Sequence, residues 1–341
     1  MINHKILKIF GIIFIFVSLL FFFNLIRNNL TNKKIPTKHI ETVYVTDNNY
    51  VLFMRTSIRS MIANKNPETK ITIYVIGYNL SDKDIKKIKK EQRKNVDIKI
   101  IPIEKELLKP LSGGTKINPN VTKVDNAKFF LTTLLKHTDK VIYLDGDTIV
   151  LKDLAELYNT NLSDNYIAAA DDWQTGWPDD PQKRYFNNGV MLLNLKEMRK
   201  NDIEKKLVDF KLNDKIKRFV TQDAFNNVMF GKVIYLPLIY DTFAPEYDND
   251  IFIIRKIQKT LKGNFKPELY PYKTAADFRK DVVIIHYCGY GNKKPWYRLS
   301  TGRKSNLIWY RYAPIDFWGY CLQGNCKTPE ELAIRALKRK K

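Results

Sequence analysis

Two carboxylates separated by a glycine, Asp145 and Asp147, directly follow the apolar residues 141–144. An uninterrupted apolar run that contains β-branched residues is typical of a buried strand. Residues two apart in an extended chain point the same way, so both carboxylates can converge on one cation at the end of the strand. Gly146 between them lets a bulky ligand approach the backbone closely. The alternative is a turn without chemistry, because Asp-Gly is a common turn pair.

Two further apolar segments end in residues that can contact a ligand. Residues 40–46 predict a first strand that is followed by Asp47, and residues 282–285 predict a strand that ends in His286. In open α/β sheets, ligands bind at the edge where such strands end. Two aspartates with one imidazole would make an oxygen-rich site, which suits Mn²⁺ or Mg²⁺ better than Zn²⁺.

The stretch after His286 has the features of a phosphate site. Gly289 and Gly291 can bring backbone amides to a phosphate, and Lys293 or Lys294 can add a point charge. A divalent ion and a lysine together would stabilise a diphosphate that leaves with negative charge.

The elements that must position these residues alternate between strand and helix. Further strands are predicted at residues 71–76, 96–103, 166–170 and 190–193. Helices are predicted at residues 54–63, 81–94, 125–137, 202–213 and 222–229. From residue 40 to residue 150 this alternation indicates an α/β fold with a mostly parallel, doubly wound sheet.

A long apolar segment near the start of the chain predicts a membrane anchor. Residues 9–26 are apolar except for Ser18 and Asn24. A helix of that length rises about 27 Å, close to the hydrocarbon thickness of a bilayer. No small-residue cleavage site follows, so a single-pass membrane protein is expected rather than a cleaved signal peptide. Basic residues flank the segment on both sides, and both the cytoplasmic face of a bacterial inner membrane and a Golgi-type lumen stay open as its location.

The charge of the chain bears on its partners. The formal net charge is +22, and part of the excess lies near the two ends. This distribution suits an anionic membrane surface. Nucleic acid is not expected as a partner, because the sequence has no recognition-helix, zinc-finger or RNA-stacking signature.

The last 40 residues combine an aromatic cluster, residues 309–320, with a basic helix predicted from Thr328. Two interpretations stay open: the aromatic side chains contact a bilayer surface together with the helix, or they belong to the core. Cys321 and Cys326 likewise either pair in an oxidising compartment or remain free thiols.

Five segments in this order resemble glycosyltransferase family 8, which contains glycogenin and bacterial lipopolysaccharide galactosyl- and glucosyltransferases. They are residues 46–50 (TDNNY), 143–147 (YLDGD), 186–195 (FNNGVMLLNL), 222–223 (QD) and 286–296 (HYCGYGNKKPW). The resemblance covers about residues 40–300 and implies a GT-A nucleotide-sugar-binding domain, Rossmann-like, with a mixed and mostly parallel sheet. The expected organisation is a basic tail at 1–8, an anchor at 9–26, a linker at 27–39, this domain at 40–300 and a C-terminal extension at 301–341.

The resemblance also implies an activity. Family members are retaining enzymes that move a hexose, most often from a UDP-sugar, with Mn²⁺ as cofactor. We therefore expect a membrane-anchored glycosyltransferase that moves glucose or galactose from a UDP-hexose to a glycan, lipopolysaccharide or protein-linked acceptor, with Mg²⁺ as the alternative metal.

By position, the resemblance assigns a role to each matching residue. The metal ligands would be Asp145, Asp147 and His286. The nucleotide and diphosphate contacts would be Asp47, Asn49, Tyr50, Lys128, Gly289 and Lys294. The donor-sugar contacts would be Asp171 or Asp172, together with Asn187 and Asn188. The catalytic centre would be Gln222, with Asp223 orienting it. Lys128 stands where the family usually has arginine, so an ammonium group replaces a guanidinium that can donate two parallel hydrogen bonds.

The expected mechanism follows from the side chain of Gln222. An amide has no anionic form at neutral pH and is a poor nucleophile. Front-face substitution is therefore favoured, in which the leaving phosphate helps to deprotonate the acceptor, and a covalent intermediate is the alternative.

Two other functions stay open on the sequence. A metal-dependent nucleotidyltransferase also uses Asp-x-Asp and would release pyrophosphate. A non-catalytic relic of the fold would bind a nucleotide-sugar or a glycan without turning it over.

Overall fold

A computed structural model describes residues 39–113, 122–172, 183–213, 218–248, 271–289, 294–297, 299 and 302–326. The strands are β1 His39–Asp47, β2 Lys70–Tyr78, β3 Val96–Pro102, β4 Lys140–Leu144, β5 Thr148–Val150, β6 Ile167–Asp171, β7 Phe186–Asn194, β8 Val233–Leu236, β9 Thr242–Phe243 and β10 Ile284–His286.

The helices of the described ranges flank these strands. The α-helices are α1 Val51–Asn64, α2 Asp82–Lys89, α3 Lys105–Leu108, α4 Leu131–Leu134, α5 Ala155–Tyr158, α6 Leu195–Lys200, α7 Ile203–Asn213, α8 Gln222–Val228, α9 Ala244–Asp248, α10 Ala275–Asp281, α11 Lys304–Tyr312 and α12 Ile315–Tyr320. The 3₁₀ and π-helical turns are Lys123–Phe130, Leu238–Tyr240 and Cys321–Asn325.

The strands form two sheets. The larger has seven strands in the order β3-β2-β1-β4-β7-β6-β8, and the smaller has three in the order β5-β10-β9. In the larger sheet only β7 runs antiparallel to its neighbours, β4 and β6. The prediction of an α/β fold with a mixed, mostly parallel sheet is therefore confirmed.

The central strand β4 is buried on both faces, which explains its continuous apolar sequence. Ile142 and Leu144 pack in one hydrophobic cluster, whereas Val141 and Tyr143 pack in another on the opposite face. Side chains alternate between the two faces of a strand, so a sheet covered on both sides needs apolar residues at every position.

The helix predicted at residues 125–137 is not a continuous α-helix. The structure has a 3₁₀ helix at Lys123–Phe130, followed by the single α-helical turn α4. In a 3₁₀ helix, residues three apart lie directly above one another. This places Lys128 against Asp125, with 2.8 Å between Nζ and Oδ1.

The prediction of a single-pass membrane protein is corrected by the helices of the described ranges. None of them is long and apolar enough to cross a membrane. The longest, α1, has 14 residues, whereas a transmembrane helix needs about 20. The segment on which the prediction was based, residues 9–26, lies outside the described residues.

The aromatic C-terminal segment contributes to a third hydrophobic cluster. Trp309 and Phe317 are fully buried there and pack with Trp296. For these side chains, the interpretation as core residues holds. Cys321 and Cys326 form a disulfide. The basic helix predicted from Thr328 lies outside the described residues.

Candidate active site

Asp145, Asp147 and His286 lie together at the C-terminal end of β4. One ligand atom from each residue falls within 4.8 Å of the others. The short strand β5 explains this arrangement, because it follows the Asp-Gly-Asp segment and pairs with β10, where His286 lies opposite Thr148. The imidazole Nε2 is 3.7 Å from Asp145 Oδ2 and 3.4 Å from Asp147 Oδ1.

Each of the two aspartates has one carboxylate oxygen near a lysine and the other near His286. Asp145 Oδ1 lies 3.0 Å from Lys128 Nζ, and Asp147 Oδ2 lies 2.6 Å from Lys294 Nζ. The remaining oxygens are the ones that face His286. Two carboxylate oxygens and one imidazole nitrogen thus converge, and this donor set fits a divalent cation such as Mn²⁺ or Mg²⁺.

The ionisation of Asp147 favours such a role. Burial alone would raise its pKa, but the nearby charges of Lys294 and His286 outweigh burial and hold the pKa of Asp147 well below its usual value. Asp147 is therefore anionic at neutral pH, as a metal ligand must be.

Behind the imidazole lies Asp241, which was not predicted from the sequence. Its Oδ1 is 2.9 Å from His286 Nδ1. The residue directly precedes β9, which pairs with β10 in parallel and so brings the carboxylate to the far side of the ring. Burial alone would lower the pKa of His286, but the charges of Asp241 and Asp147 outweigh burial and raise it, so without a metal ion both ring nitrogens are protonated. A metal ion would displace the proton on Nε2, while Nδ1–H stays bonded to Asp241. Asp241 therefore keeps the ring oriented so that Nε2 is the nitrogen that faces Asp145 and Asp147.

We expect Asp241→Ala to weaken Mn²⁺ binding by about 10- to 100-fold, because the imidazole would lose the partner that sets its tautomer and orientation. Asp241→Asn, whose amide oxygen can still accept from Nδ1–H, should keep most of the affinity. The measurement is a Mn²⁺ titration followed by electron paramagnetic resonance. Equal affinities for wild type and Asp241→Ala, with both proteins folded, would contradict the assigned role.

Gly189 on β7 lies against the cluster. A Cβ atom at this position would be 2.2 Å from His286 Cε1 and 2.8 Å from Asp145 Oδ2. Real Cβ atoms do not approach other atoms this closely, so a side chain here would collide with His286 and Asp145, two of the three residues that could hold a metal ion. Only glycine therefore fits at the third position of the Asn-Asn-Gly segment.

The residues expected at the donor sugar form a hydrogen-bonded group around Gln222, which begins α8 and is only 8 % exposed. Its Oε1 accepts from Asn187 Nδ2 at 3.1 Å, and its Nε2 donates to Asp172 Oδ2 at 2.9 Å. The Asn188 amide N–H also points at Oε1, at 3.4 Å. These partners fix which way the side-chain amide of Gln222 points.

A chain of polar contacts links this group to the metal cluster. Asn188 Nδ2 donates to Thr221 Oγ1 at 2.7 Å, and Thr221 Oγ1 donates to Asp125 Oδ2, also at 2.7 Å. Asp125 in turn pairs with Lys128, which contacts Asp145. Thr221 and Asp125 were not identified from the sequence, since neither stands next to a strand end.

Asp223 and Asp171, the other carboxylates expected near the donor sugar, have different partners. Asp223 accepts from Tyr185 Oη at 2.8 Å and from Arg218 Nη2 at 2.6 Å. Asp171 pairs with Arg184 Nε at 3.0 Å. Of the two adjacent aspartates, the structure therefore brings Asp172 to Gln222, and Asp171 pairs with an arginine.

The residues expected to contact the nucleotide begin at the end of β1. Asp47 Oδ1 accepts from the amides of Asn49 at 3.0 Å and Tyr50 at 3.2 Å. Tyr50 then lies beside Gly146, where an added Cβ would be 2.9 Å from its ring. Its hydroxyl accepts from Lys294 Nζ at 2.9 Å. The segment that follows β1 therefore meets both the Asp-Gly-Asp segment and Lys294 at Tyr50.

Lys128 and the loop after β10 complete the predicted set. Lys128 is 1 % exposed, and its ammonium is held between Asp125 and Asp145. Gly289 has a φ of 102°, a conformation that favours glycine. Lys293, the alternative to Lys294 as the phosphate contact, lies outside the described residues.

This structure is similar to solved glycosyltransferases. A crystal structure of the galactosyltransferase LgtC with donor and acceptor sugar analogues has a TM-score of 0.67 and 22 % identity, and the similarity covers 82 % of this chain and 99 % of that one. The glycosyltransferase GlyE of Streptococcus pneumoniae has a TM-score of 0.56 and 21 % identity, with 82 % of this chain and 62 % of that one covered. The fold is therefore the α/β fold of GT-A glycosyltransferases.

The sequence comparisons give the family. The model of glycosyl transferase family 8 matches residues 41–300. General stress protein A of Bacillus subtilis is 23 % identical over 81 % of this chain and 93 % of its own length. Lipopolysaccharide 1,2-glucosyltransferase of Escherichia coli K12 is 24 % identical over 84 % of this chain and 78 % of its own. The chain belongs to glycosyl transferase family 8, which confirms the resemblance found in its motifs.

Proposed function

We propose that the protein is a retaining hexosyltransferase that uses a UDP-sugar and Mn²⁺. The observation that carries the proposal is the position of three consecutive residues of β7. Gly189 lies against His286 and Asp145, while Asn187 and Asn188 contact Gln222. A donor whose diphosphate lies at the metal ligands would thus have its sugar beside the oriented amide.

The residues of this chain would divide the chemistry as follows. Asp145, Asp147 and His286 would hold the metal ion, which supplies Lewis-acid stabilisation to the departing diphosphate. Lys294 lies within reach of the same region and would add positive charge. Gln222 cannot act as an anionic nucleophile, so its carbonyl oxygen would stabilise the positive charge that develops at the anomeric carbon during front-face substitution.

The names of similar proteins support a hexose donor and a carbohydrate acceptor. One relative is named a lipopolysaccharide 1,2-glucosyltransferase, and one structure is a galactosyltransferase with donor and acceptor sugar analogues. We propose glucose or galactose as the sugar and a glycan-containing molecule as the acceptor.

Nuclear magnetic resonance of the products tests this proposal. The full-length protein, incubated with Mn²⁺ and UDP-α-hexoses, should slowly transfer the sugar to water and release UDP in the phosphorus spectrum, with the α-anomer of the sugar appearing first in the proton spectrum. Pyrophosphate instead of UDP would indicate nucleotidyl transfer. The β-anomer as the first product would contradict retention. Tight UDP binding with no product from any donor, even with glycan acceptors present, would support the non-catalytic alternative.

A further inference from the structure

Helix α11 lies beyond the residues that the family model matches, which end at residue 300. It nevertheless contacts Tyr287, directly after His286, and Pro295 and Trp296, directly after Lys294. We propose that α11 positions His286 and Lys294 for binding the diphosphate of the donor. This inference rests on the proposed function and identifies Tyr287 and Tyr310 as its positioning residues.

The first contact fixes the residue after the histidine. The Tyr287 amide donates to the Asp147 carbonyl oxygen at 2.9 Å, so this residue is tied directly to the Asp-Gly-Asp segment. Its buried hydroxyl donates to the carbonyl oxygen of Ser305 in the first turn of α11. Any shift of α11 would therefore pull on the backbone that carries His286.

Ser305 itself is held in place from another direction. Its amide and its hydroxyl donate to the two carboxylate oxygens of Asp248, at 2.8 Å and 2.7 Å. Asp248 ends α9, which directly follows β9, and β9 pairs with β10. The contacts form a closed ring, from β10 through β9, α9 and α11 and back to the residue after His286.

The second contact fixes the residues after Lys294. Tyr310 Oη donates to the Pro295 carbonyl oxygen at 3.1 Å. Trp309 packs on Trp296 with 5.3 Å between ring centroids, and Trp296 stacks on Phe53 of α1 at 4.3 Å. One face of α11 thus holds the backbone on the C-terminal side of Lys294.

This bracing matters because a lysine side chain is long and flexible. Ordering it costs side-chain entropy, and a fixed backbone reduces the number of positions that Nζ can take. Lys294 Nζ reaches Asp147 and Tyr50 at 2.6 Å and 2.9 Å. A displaced backbone at Pro295 would move this ammonium away from the position of the diphosphate.

The test is a Tyr287→Phe/Tyr310→Phe double variant of the full-length protein, which removes two hydroxyl groups and keeps both rings. We expect the affinity for UDP in the presence of Mn²⁺, measured by calorimetry, to fall about tenfold, since two positioning hydrogen bonds are lost. The KM for the donor should rise by a similar factor, with a smaller change in kcat. Tyr310→Phe alone should lower the affinity about threefold.

The matched control is Tyr312→Phe, the same substitution on the same helix. Its hydroxyl accepts from Asn64 Nδ2 at 2.8 Å, at the end of α1. This variant loses a hydrogen bond and should keep the wild-type UDP affinity. Equal UDP affinities for the double variant and the control would overturn the positioning role and leave α11 as part of the core. Failure of the wild-type protein to bind UDP would instead overturn the proposed function, and the inference with it.

Discussion

The Asp145→Asn/Asp147→Asn double variant is expected to lose metal-dependent UDP release by at least about 1,000-fold. Both anionic ligands would become neutral amides, and His286 alone cannot hold a divalent ion at this site. A bound metal ion contributes several kcal/mol of charge stabilisation in the transition state, and each 1.4 kcal/mol is a factor of ten in rate. The buried ammonium of Lys128 would also lose part of its counter-charge.

Released UDP, measured with Mn²⁺ and a saturating UDP-hexose, gives the rate for this comparison. Asp164→Asn is a suitable control, because Asp164 forms an exposed pair with Lys232 and should give the wild-type rate. Circular dichroism shows whether each variant is folded. A folded double variant that releases UDP within a factor of ten of wild type would show that these carboxylates do not hold a catalytic metal.

The second large effect is expected for Gly189→Ala, which should lower UDP release by about 100-fold or more. The added methyl group would lie 2.2 Å from His286 Cε1 and 2.8 Å from Asp145 Oδ2. Either β7 or the two ligands must move to accept it, and a misplacement of about 1 Å can cost 100-fold in rate. The affinity for Mn²⁺ should fall as well, because the methyl group displaces ligand atoms.

Gly319→Ala is the matched control for this substitution. A Cβ atom at Gly319 would meet no atom within 4 Å, and the residue lies in α12, where alanine is favoured over glycine. This variant should keep the wild-type rate and the wild-type Mn²⁺ affinity. If Gly189→Ala had the same rate and the same Mn²⁺ affinity as Gly319→Ala, the close packing of β7 against His286 and Asp145 would be contradicted.

The residues that follow or end continuous apolar strands were predictable from sequence. Asp145 and Asp147 follow strand β4 of the seven-stranded sheet, whereas His286 ends strand β10 of the smaller sheet. Both strand ends were predicted, but the prediction of a single sheet was wrong for His286, which reaches the two aspartates because β10 pairs with β5. The mostly parallel order of the large sheet followed from the alternation of strands and helices. These are local patterns of hydrophobicity, which the sequence shows directly.

Residues that act through pairing between distant segments were not predictable in this way. Asp241 reaches His286 only because the two-residue strand β9 pairs with β10. Thr221 reaches Asn188 only because α8 begins beside β7. A strand of two residues has no hydrophobic period, so nothing in the sequence reveals its partner.

Lys128 shows how local geometry changed an expectation. The prediction of an α-helix at this lysine was wrong, because the structure has a 3₁₀ helix there, with the ammonium between Asp125 and Asp145. The contact with the donor nucleotide stays a prediction. Burial alone would lower the pKa of Lys128, but the two carboxylates outweigh burial and raise it. The lysine therefore stays charged beside Asp145, one of the three residues that could hold a metal ion.

The most direct test of the central claim is release of UDP from a panel of UDP-sugars by the full-length protein, with Mn²⁺ and with a chelator. We predict slow hydrolysis of UDP-glucose or UDP-galactose with Mn²⁺, no hydrolysis with the chelator, and recovery when Mn²⁺ is added back. Release that continues at the same rate in the chelator would contradict a metal site at Asp145, Asp147 and His286. Absence of both UDP release and UDP binding with Mn²⁺ would contradict the assignment of this edge of the sheet as a UDP-sugar site.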